Sequence, residues 1–201
     1  MEEIYKSRKI IIEMLKIRNY DVSSWSNFSK DEIEIMKDTN LNFKVFSNMD
    51  AEKSIEIIYL LDKQKNPNQQ KFEISILHDL LDKSDNNNSY IFILPENDND
   101  NALQDICNKF YDIYGIYVQV FFIKNLCYNI LDHKHVPYHK YLDNEESEFI
   151  LNENKIKRNN LPKILRNDPV AKFLGLKKND IVQITRPSIS GGKYKSFRVC
   201  I

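Results

Sequence analysis

Glycine and cysteine are scarce in this sequence of 201 residues. The four glycines leave few positions where a backbone φ above zero comes without strain. The three cysteines, Cys107, Cys127 and Cys200, are odd in number and far apart. This spacing excludes a disulfide framework and a Cys-x-x-Cys metal knuckle. We therefore expect reduced thiols, mostly in the core of an intracellular protein.

Long apolar runs are also missing. Residues 1–20 are charged throughout, unlike a secretory signal peptide. The longest apolar runs fall far short of the ~20 residues that a membrane-spanning helix needs. We therefore expect a soluble protein without a membrane partner. Isoleucine, asparagine and lysine are abundant, which favours an AT-rich genome, such as that of a large DNA virus or a microbial eukaryote, as the source.

Charge is balanced overall, with 29 basic and 29 acidic residues, but it is divided unevenly. From Pro162 onward there are nine Lys or Arg against two Asp, a net charge of +7, so the preceding 161 residues carry −7. The apolar fraction of 42% is enough for a real core. The length fits one large domain or two modest ones. The asymmetry predicts either two surfaces for different partners or two domains with different solvated faces.

Three helices are predicted in the first ~125 residues. The first covers residues 2–18, with apolar side chains near helical spacing at Ile4, Ile11, Met14, Leu15 and Ile17. Ser29 and Glu32 form a capping-box signature that opens the second, through about Thr39. The third follows an Asn or Asp cap near residue 100 and ends at Gly115. Its predicted apolar stripe is Leu103, Ile106, Phe110, Ile113 and Tyr114.

Runs rich in Ile, Val and aromatic residues predict the strands of the same region. They are residues 42–46, 54–62, the beginning of 71–81, 90–95 and 117–123. The run 90–95 is almost wholly apolar, which suits a strand that is covered on both faces. The N-terminal part is therefore predicted to be an α/β layer, with helices packed on a mixed sheet.

Local signals are denser in the last seventy residues or so, where three of the four glycines fall. The segment 126–142 is predicted to run from strand into a turn at Pro137, and Asp143 with Glu146 caps a helix. A short strand follows at 161–165. Asp168, Pro169 and Gly175 are a cap, a first-turn proline and a terminating glycine for another helix. A strand, a turn at 187–192 and a returning strand complete a small α+β domain, whose predicted core is Val170, Phe173, Leu174, Ile181, Val182 and Ile184.

Three kinds of chemistry compete with structural explanations of the same residues. His133, His135 and His139 lie within seven residues and could bind zinc, but no Cys or fourth His stands nearby, and Pro137 forces a turn between them. A nuclease needs two carboxylates and a lysine around a strand. Asp62 and Glu73 are the candidate acids, but Ser75 stands where the lysine would be.

The basic C-terminal part could bind nucleic acid, with aromatic side chains as stacking platforms. Its basic residues are Lys163, Arg166, Lys172, Lys177, Lys178, Arg186, Lys193, Lys195 and Arg198, interleaved with Phe173, Tyr194 and Phe197. The alternative is a set of core aromatics with lysines that are solvated or face an acidic protein partner. Arg186 and Arg198 are the best candidates for salt bridges, within the hairpin or between subunits, because arginine pairs bidentately with carboxylates.

An ordered series of motifs carries a family resemblance. It runs from His133 and His139 through Val136-Pro137, Leu161-Pro162, Asp168-Pro-Val-Ala, Gly175-Leu and Arg186-Pro-Ser to Gly192, Tyr194 and Arg198. Residues 132–201 thereby resemble the C-terminal domain of the fifth-largest common subunit of eukaryotic nuclear RNA polymerases, a domain that stands alone as a small separate subunit in archaeal RNA polymerase. The opening helix with Arg8-Lys9, then Arg18 and Tyr20, is more weakly similar to the eukaryotic subunit. A full-length match points to the eukaryotic type or to the version carried by large DNA viruses.

This resemblance implies a non-catalytic structural subunit of a multisubunit DNA-dependent RNA polymerase, without cofactor, metal or small-molecule substrate. Residues 1–128 would be a jaw domain beside the downstream DNA, with an α/β fold of inactive restriction-nuclease topology. Residues 129–201 would be an α+β assembly domain that binds the largest subunit next to neighbouring subunits. The protein would lie in the nucleus if cellular, or in the virion or a cytoplasmic viral factory if viral. The implied partner-binding residues are His133, Pro137, His139, Pro162, Asp168, Pro169, Val170, Gly175, Arg186, Pro187, Ser188, Gly192, Tyr194 and Arg198.

The sequence departs from this family pattern in several places. The jaw region is somewhat short, Ile189 follows Arg-Pro-Ser where an acidic residue is common, and His135 replaces a Leu-like residue before Val-Pro. The acidic N-terminal part argues against close contact with the DNA backbone, which needs clustered Lys and Arg. A small stand-alone nucleic-acid-binding protein and a nuclease-like enzyme are the alternative functions.

Overall fold

The computed structural model describes residues 2–39, 41–50, 52–61, 88–95, 100–188 and 191–201. They form two compact units, Met1–Tyr128 and Asn129–Ile201. The strand predicted within residues 71–81 lies outside the described residues, as do Asp62, Glu73, Ser75 and Ile189.

Two helices open the N-terminal unit, α1 (Glu2–Ile17) and α2 (Lys30–Thr39). The predicted capping box is confirmed at the start of α2. Ser29 Oγ accepts a hydrogen bond from the backbone N–H of Glu32 at 3.1 Å, and the Glu32 carboxylate accepts one from the N–H of Ser29 at 2.7 Å. This reciprocal pair satisfies donors that the first helical turn leaves without intrahelical partners.

A four-stranded mixed sheet forms the centre of this unit, in the order β1-β2-β3-β4. Its strands are β1 (Phe43–Phe46), β2 (Ser54–Tyr59), β3 (Asn88–Leu94) and β4 (Val118–Phe122). β1 is antiparallel to β2, whereas β3 is parallel to both β2 and β4. Helix α3 (Asp100–Tyr114) connects β3 to β4 and supplies the crossover that a parallel pair requires. The mixed sheet with helices agrees with the predicted fold class.

The core of this unit is built on β3, which is buried on both faces from Tyr90 to Leu94, as predicted. Side chains of β3 and β4 pack with α3 in one cluster, which includes Tyr90, Phe92, Leu94, Leu103, Cys107, Phe110, Val118, Val120 and Phe122. Gly115 ends α3 with a φ of 74°, and its N–H donates to the carbonyl of Tyr111 at 2.9 Å. The predicted terminating glycine is therefore confirmed.

Three residues of the predicted helical stripes are exposed instead. Ile17 is 47% exposed at the end of α1, and Ile113 and Tyr114 of α3 are 71% and 45% exposed. At 100° per residue, Ile113 lies roughly a quarter of a turn away from the stripe of Leu103 and Phe110. Tyr114 lies on the stripe but in the last turn, where its ring contacts Phe110 with centroids 4.9 Å apart.

Two arginines hold helix α1 in place, and the first does so through aromatic rings. Arg8 is 2% exposed, and its guanidinium carbon lies 4.5 Å from the ring centroid of Phe43, 5.5 Å from Phe28 and 5.7 Å from Trp25. Its Nη1 donates to the carbonyl of Leu41 at 3.2 Å. Burial lowers the pKa of Arg8. Aromatic faces offset part of this desolvation through cation–π attraction.

The second arginine joins α1 to the sheet. Arg18 Nη2 donates to the Oε1 of Gln119 on β4 at 2.8 Å, and Gln119 is itself buried. Arg18 also contacts the sulfur of Met14 one turn earlier in the chain at 3.3 Å. The arginines that carried the weak N-terminal resemblance are thus structural residues of this unit.

The C-terminal unit has a four-stranded sheet in the order β5-β7-β8-β6, with two helices. Its elements are β5 (Tyr138–Leu142), α4 (Asn144–Glu153), β6 (Lys163–Ile164), α5 (Pro169–Leu174), β7 (Ile181–Ser188) and β8 (Gly192–Cys200). β7 is antiparallel to β5 and β8, and β6 is parallel to β8. The predicted core residues Val170, Phe173, Leu174, Ile181, Val182 and Ile184 are all buried.

Helix α5 begins and ends as predicted. The Asp168 side chain accepts hydrogen bonds from the N–H groups of Val170 at 2.9 Å and Ala171 at 3.3 Å. Pro169 occupies the first turn, and Gly175 has a left-handed φ of 72°. Asp143 caps α4 by accepting from the N–H of Glu146 at 2.8 Å.

The segment before Pro137 differs from its prediction. In place of a strand, residues 123–132 contain two short 3₁₀ helices, Ile123–Leu126 and Ile130–Asp132. The Asn129 side chain accepts from the N–H of Leu131 at 3.0 Å, which stabilises a turn over an extended backbone. The strand β5 follows Pro137 and was not predicted.

The cysteines divide as expected, with Cys107 and Cys200 buried in the cores and Cys127 partly exposed. None of the helices in the described part of the chain is long and apolar enough to cross a membrane.

Candidate partner-binding surface

The β7–β8 hairpin determines which of the predicted residues share a face. Directly paired residues point to the same face of an antiparallel sheet, and successive residues alternate. Arg186 pairs with Tyr194, Val182 with Arg198, and Ile184 with Ser196. On the neighbouring strand β5, His139 pairs with Ile184. The register therefore places His139, Arg186, Tyr194 and Arg198 on one face of the sheet, which we call the basic face.

Only one end of that face is covered by the unit's own core. Val182 and Ile184 pack with α5, and Val136 is partly buried against them. Beyond this apolar end, Arg186 is exposed and Tyr194 is 60% exposed. His139 and Arg198 are half-buried, intermediate between the apolar end of the face and its exposed end. The basic face thus carries two guanidinium groups and a tyrosine ring, next to the buried core residues Val182 and Ile184.

His139, on β5, lies near residues of three other elements, α5, β7 and β8. Its Nδ1 lies 2.7 Å from the carbonyl oxygen of Pro137. Burial lowers the pKa of His139, the hydrogen bond to Pro137 and the charge of Asp168 raise it, and the charges of Arg186 and Arg198 lower it. The α5 cap and both hairpin arginines therefore lie within electrostatic range of one imidazole, although they are far apart in sequence.

The two arginines have no acid of their own in the hairpin. In the described residues, no carboxylate lies within ion-pair distance of Arg186 or Arg198. The predicted salt bridge within the hairpin is therefore not found among these residues. A planar guanidinium in this state is suited to bind a carboxylate from outside the chain.

Other predicted partner-binding residues have structural roles or lie away from this face. Val170 is 8% exposed and belongs to the core, Gly175 ends α5, and the carbonyl of Pro162 accepts from the N–H of Val199 at 2.9 Å. Ser188 and Gly192 pair at the far end of the hairpin. The remaining prolines, Pro169 and Pro187, are exposed, as is His133.

Known proteins resemble this chain in sequence. Residues 128–200 match the protein family described as RNA polymerase Rpb5, C-terminal domain. Over 203 residues, the chain is 28% identical to the Dictyostelium discoideum protein named DNA-directed RNA polymerases I, II, and III subunit rpabc1, covering 100% of this chain and 98% of that protein. The chain is thus similar to the Rpb5 subunits of RNA polymerases, through residues 128–200 in the family match and along its whole length in this relative.

A second relative matches a shorter part of the chain. The Caenorhabditis briggsae protein named DNA-directed RNA polymerases I, II, and III subunit RPABC1 is 38% identical over 76 residues, which cover 38% of this chain and 36% of the relative.

The histidines of this chain are not assembled as a metal site in the described residues, where no group of three or more His, Cys, Asp or Glu could hold an ion. The rings of His133 and His135 lie 5.6 Å apart, and the N–H of His135 donates to His133 Nδ1 at 3.3 Å. His139 instead contacts the Pro137 carbonyl. The nuclease candidates Asp62 and Glu73 fall outside the described residues.

Ser196, a further residue of the basic face, was not predicted. Ser196 lies between Tyr194 and Arg198 on the same side of β8, and its hydroxyl is 3.5 Å from the carbonyl of Ile184. The alternation of strand side chains, counted from Tyr194 to Arg198, was the sequence feature that could have identified it.

Proposed function

We propose that this chain is a non-catalytic structural subunit of a multisubunit DNA-dependent RNA polymerase, in which its C-terminal unit binds the largest subunit beside neighbouring subunits. The observation that carries the proposal is the match over the full chain to a shared polymerase subunit. The family match to residues 128–200 adds that the part carrying the basic face is of the Rpb5 type.

The basic face supplies the chemistry for such an association. Arg186 and Arg198 offer planar donors without an acid in their hairpin, and Tyr194 adds exposed aromatic surface. Interfaces are enriched in arginine and tyrosine, and their strongest contacts cluster where water is excluded. Carboxylates of the largest subunit are therefore the proposed partners of the two arginines, and Asp168 and His139 hold the surrounding backbone in place.

The N-terminal unit is proposed to act as a jaw beside downstream duplex DNA, with the topology of a restriction nuclease but no cleavage chemistry. Its mixed sheet, with parallel β2, β3 and β4 and a helical crossover, supports this assignment. Since residues 1–128 hold 15 basic and 21 acidic residues, a net charge of −6, we propose that the jaw shapes the channel instead of gripping the DNA backbone. Such a subunit would act in the nucleus, or in a virion or viral factory if a virus encodes it.

Affinity capture with the tagged full-length chain tests the proposal in an extract of the source cell. We expect stoichiometric recovery of the large polymerase subunits. The double variant Arg186→Ala/Arg198→Ala should reduce this recovery at least tenfold, since a desolvated charge pair is strongly weakened when one partner is removed. The matched control is Lys157→Ala/Lys178→Ala, which removes the same charge from exposed positions elsewhere in the unit.

Recovery of nucleic acid alone would overturn the proposal in favour of a small nucleic-acid-binding protein. Magnesium-dependent DNA cleavage that Asp62→Ala or Glu73→Ala abolishes would favour the nuclease. Equal loss of capture in the two double variants would show that net charge, and not the basic face, drives the association.

A further inference from the structure

The edge of the C-terminal sheet beside β8 is only partly occupied. β8 is nine residues long and pairs with β7 along its length from Gly192 to Val199. On its other side it pairs with β6, which has two residues and reaches only Val199 and Cys200. Toward its N-terminus, the chain before β6 turns away into a 3₁₀ helix at Arg158–Asn160. Residues 193–197 of β8 therefore form a sheet edge, which we call the open edge.

Backbone groups on the open edge are directed away from the sheet. The N–H of Val199 donates to the carbonyl of Pro162, so Val199 directs its polar groups toward β6. Because these directions alternate along an antiparallel strand, the N–H and C=O of Lys195 and Phe197 face the same side. Within the described residues, no backbone group bonds Lys195 or Phe197 from that side. An extended peptide that continues the line of β6 would find these groups ready to pair.

The side chains along the open edge indicate the charge of such a peptide. Lys193 and Lys195 are exposed on one face, and Arg198 closes the run on the other. Like charges directly opposite each other destabilise a strand pair, whereas opposite charges stabilise it. A second copy of β8 would bring lysines against lysines, so self-association through this edge is disfavoured. Tyr194 adds exposed aromatic surface on the basic face, whereas Phe197, on the other face, is partly buried against the unit's own core.

The opposite edge of the same sheet has a different character. On β5, Lys140 is already paired with Glu146, and Asp143 and Glu145 follow at once in the chain. An acidic segment would therefore be repelled there, and the two edges are chemically distinct.

We infer that an extended, acidic segment of a polymerase partner chain adds to the C-terminal sheet as a further strand along residues 193–197. The segment pairs its backbone with Lys195 and Phe197 and directs carboxylates toward the lysines and toward Arg198. This inference rests on the proposed function for the identity of the partner, and it adds the mode of recognition. Lysines on an edge also hinder indiscriminate strand pairing, so they select an acidic strand over others.

Proline at an outward-facing edge position removes one backbone donor without removing a bond of the internal ladder. Lys195→Pro should therefore fold but lose at least tenfold in capture of the large polymerase subunits from the same extract. Lys195→Ala, which keeps the N–H, should lose less than Lys195→Pro. The matched control is Lys178→Pro, at an exposed lysine in the second position of the turn that the N–H of Asp180 closes on the carbonyl of Lys177, where proline is tolerated, and it should capture polymerase like the wild type. Circular dichroism melting of each variant confirms that it is folded.

Hydrogen exchange on the wild-type chain gives a measurement that needs no variant. The amides of Lys195 and Phe197 should exchange at least tenfold more slowly in the captured complex than in the free chain. If wild-type chain captures no polymerase, the proposed function fails and this inference fails with it. If capture occurs but Lys195→Pro retains it, or the two amides stay unprotected, the strand addition is refuted while the proposed function stands. Binding of nucleic acid at these residues without protection of the amides would also refute it.

Discussion

Two roles are assigned to Asp168, partner binding and helix capping, and one series of substitutions can distinguish them. The family resemblance places it among the partner-binding residues, whereas the structure gives its carboxylate a capping role at the start of α5. The side chain accepts from the N–H groups of Val170 at 2.9 Å and Ala171 at 3.3 Å. Loss of an N-cap side chain costs about 1 kcal/mol, within a range of roughly 0.5–2 kcal/mol. Asp168→Ala should destabilise α5 by that amount.

The assay is native-state hydrogen exchange, because it reads α5 separately from the N-terminal unit. The amide of Lys172 donates to the carbonyl of Asp168 at 2.8 Å and reports the first turn. A loss of about 1 kcal/mol corresponds to exchange about fivefold faster, since 1.4 kcal/mol is tenfold. Asp168→Asn keeps an oxygen acceptor at the cap and should exchange like the wild type.

Polymerase capture then completes the comparison. If Asp168 acts only as a cap, Asp168→Asn should capture polymerase as the wild type does, and Asp168→Ala should lose less than about tenfold. Unchanged exchange at Lys172 in Asp168→Ala would refute the capping argument. Lost capture in Asp168→Asn with normal exchange would show that a partner reads the carboxylate directly.

Three further predictions concern the two cores and the imidazole. Arg8→Ala should lower the free energy of unfolding of the N-terminal unit by about 2–4 kcal/mol, through lost cation–π contacts and the lost bond to the Leu41 carbonyl. The single tryptophan, Trp25, reports it by fluorescence in urea, and full stability in Arg8→Lys would contradict the stacking argument. His139 has a lowered pKa when folded, so its unfolded form binds protons first as pH falls below about 6.5, and stability of the C-terminal unit declines there. NMR titration measures the pKa of the His139 imidazole in the folded chain, and a pKa above the ordinary value would contradict the prediction. Burial raises the pKa of Cys200 to about 12, so iodoacetamide at pH 8 should modify the partly exposed Cys127 first, as mass spectrometry can check, and early modification of Cys200 would contradict the assigned burial.

Helix ends were the part of the fold that the sequence specified best. Ser29 with Glu32, Asp168 with Pro169, and Gly175 are local signals, since the bonds that they make lie within a few residues. The apolar run of β3 from Tyr90 to Leu94 was equally clear, because burial on both faces leaves a continuous run. Such features need no knowledge of the rest of the chain.

Elements that depend on distant partners were harder to predict. β5 is mostly exposed, and its polar residues form a strand because β7 pairs with them. Ile113 was assigned to the core because it is apolar, although its angular position on α3 directs it to solvent. In both cases tertiary context decided the outcome.

The candidate site shows the same division. Arg186, Tyr194 and Arg198 were identified individually from their motifs, but their common face follows from the hairpin register. The approach of His139 to Asp168 depends on how α5 packs on the sheet, which no local pattern records. The open edge of β8 follows from the length of β6, which is two residues and shorter than the apolar run that predicted it.

The buried guanidinium of Arg8 has a consequence for the conditions that the N-terminal unit tolerates. Concentrated salt weakens ion pairs by screening, and acid weakens them by neutralising carboxylates. Arg8 is instead held by three aromatic rings and a carbonyl oxygen, which neither treatment alters. The attachment of α1 at this point should therefore persist in media of high ionic strength and mild acidity.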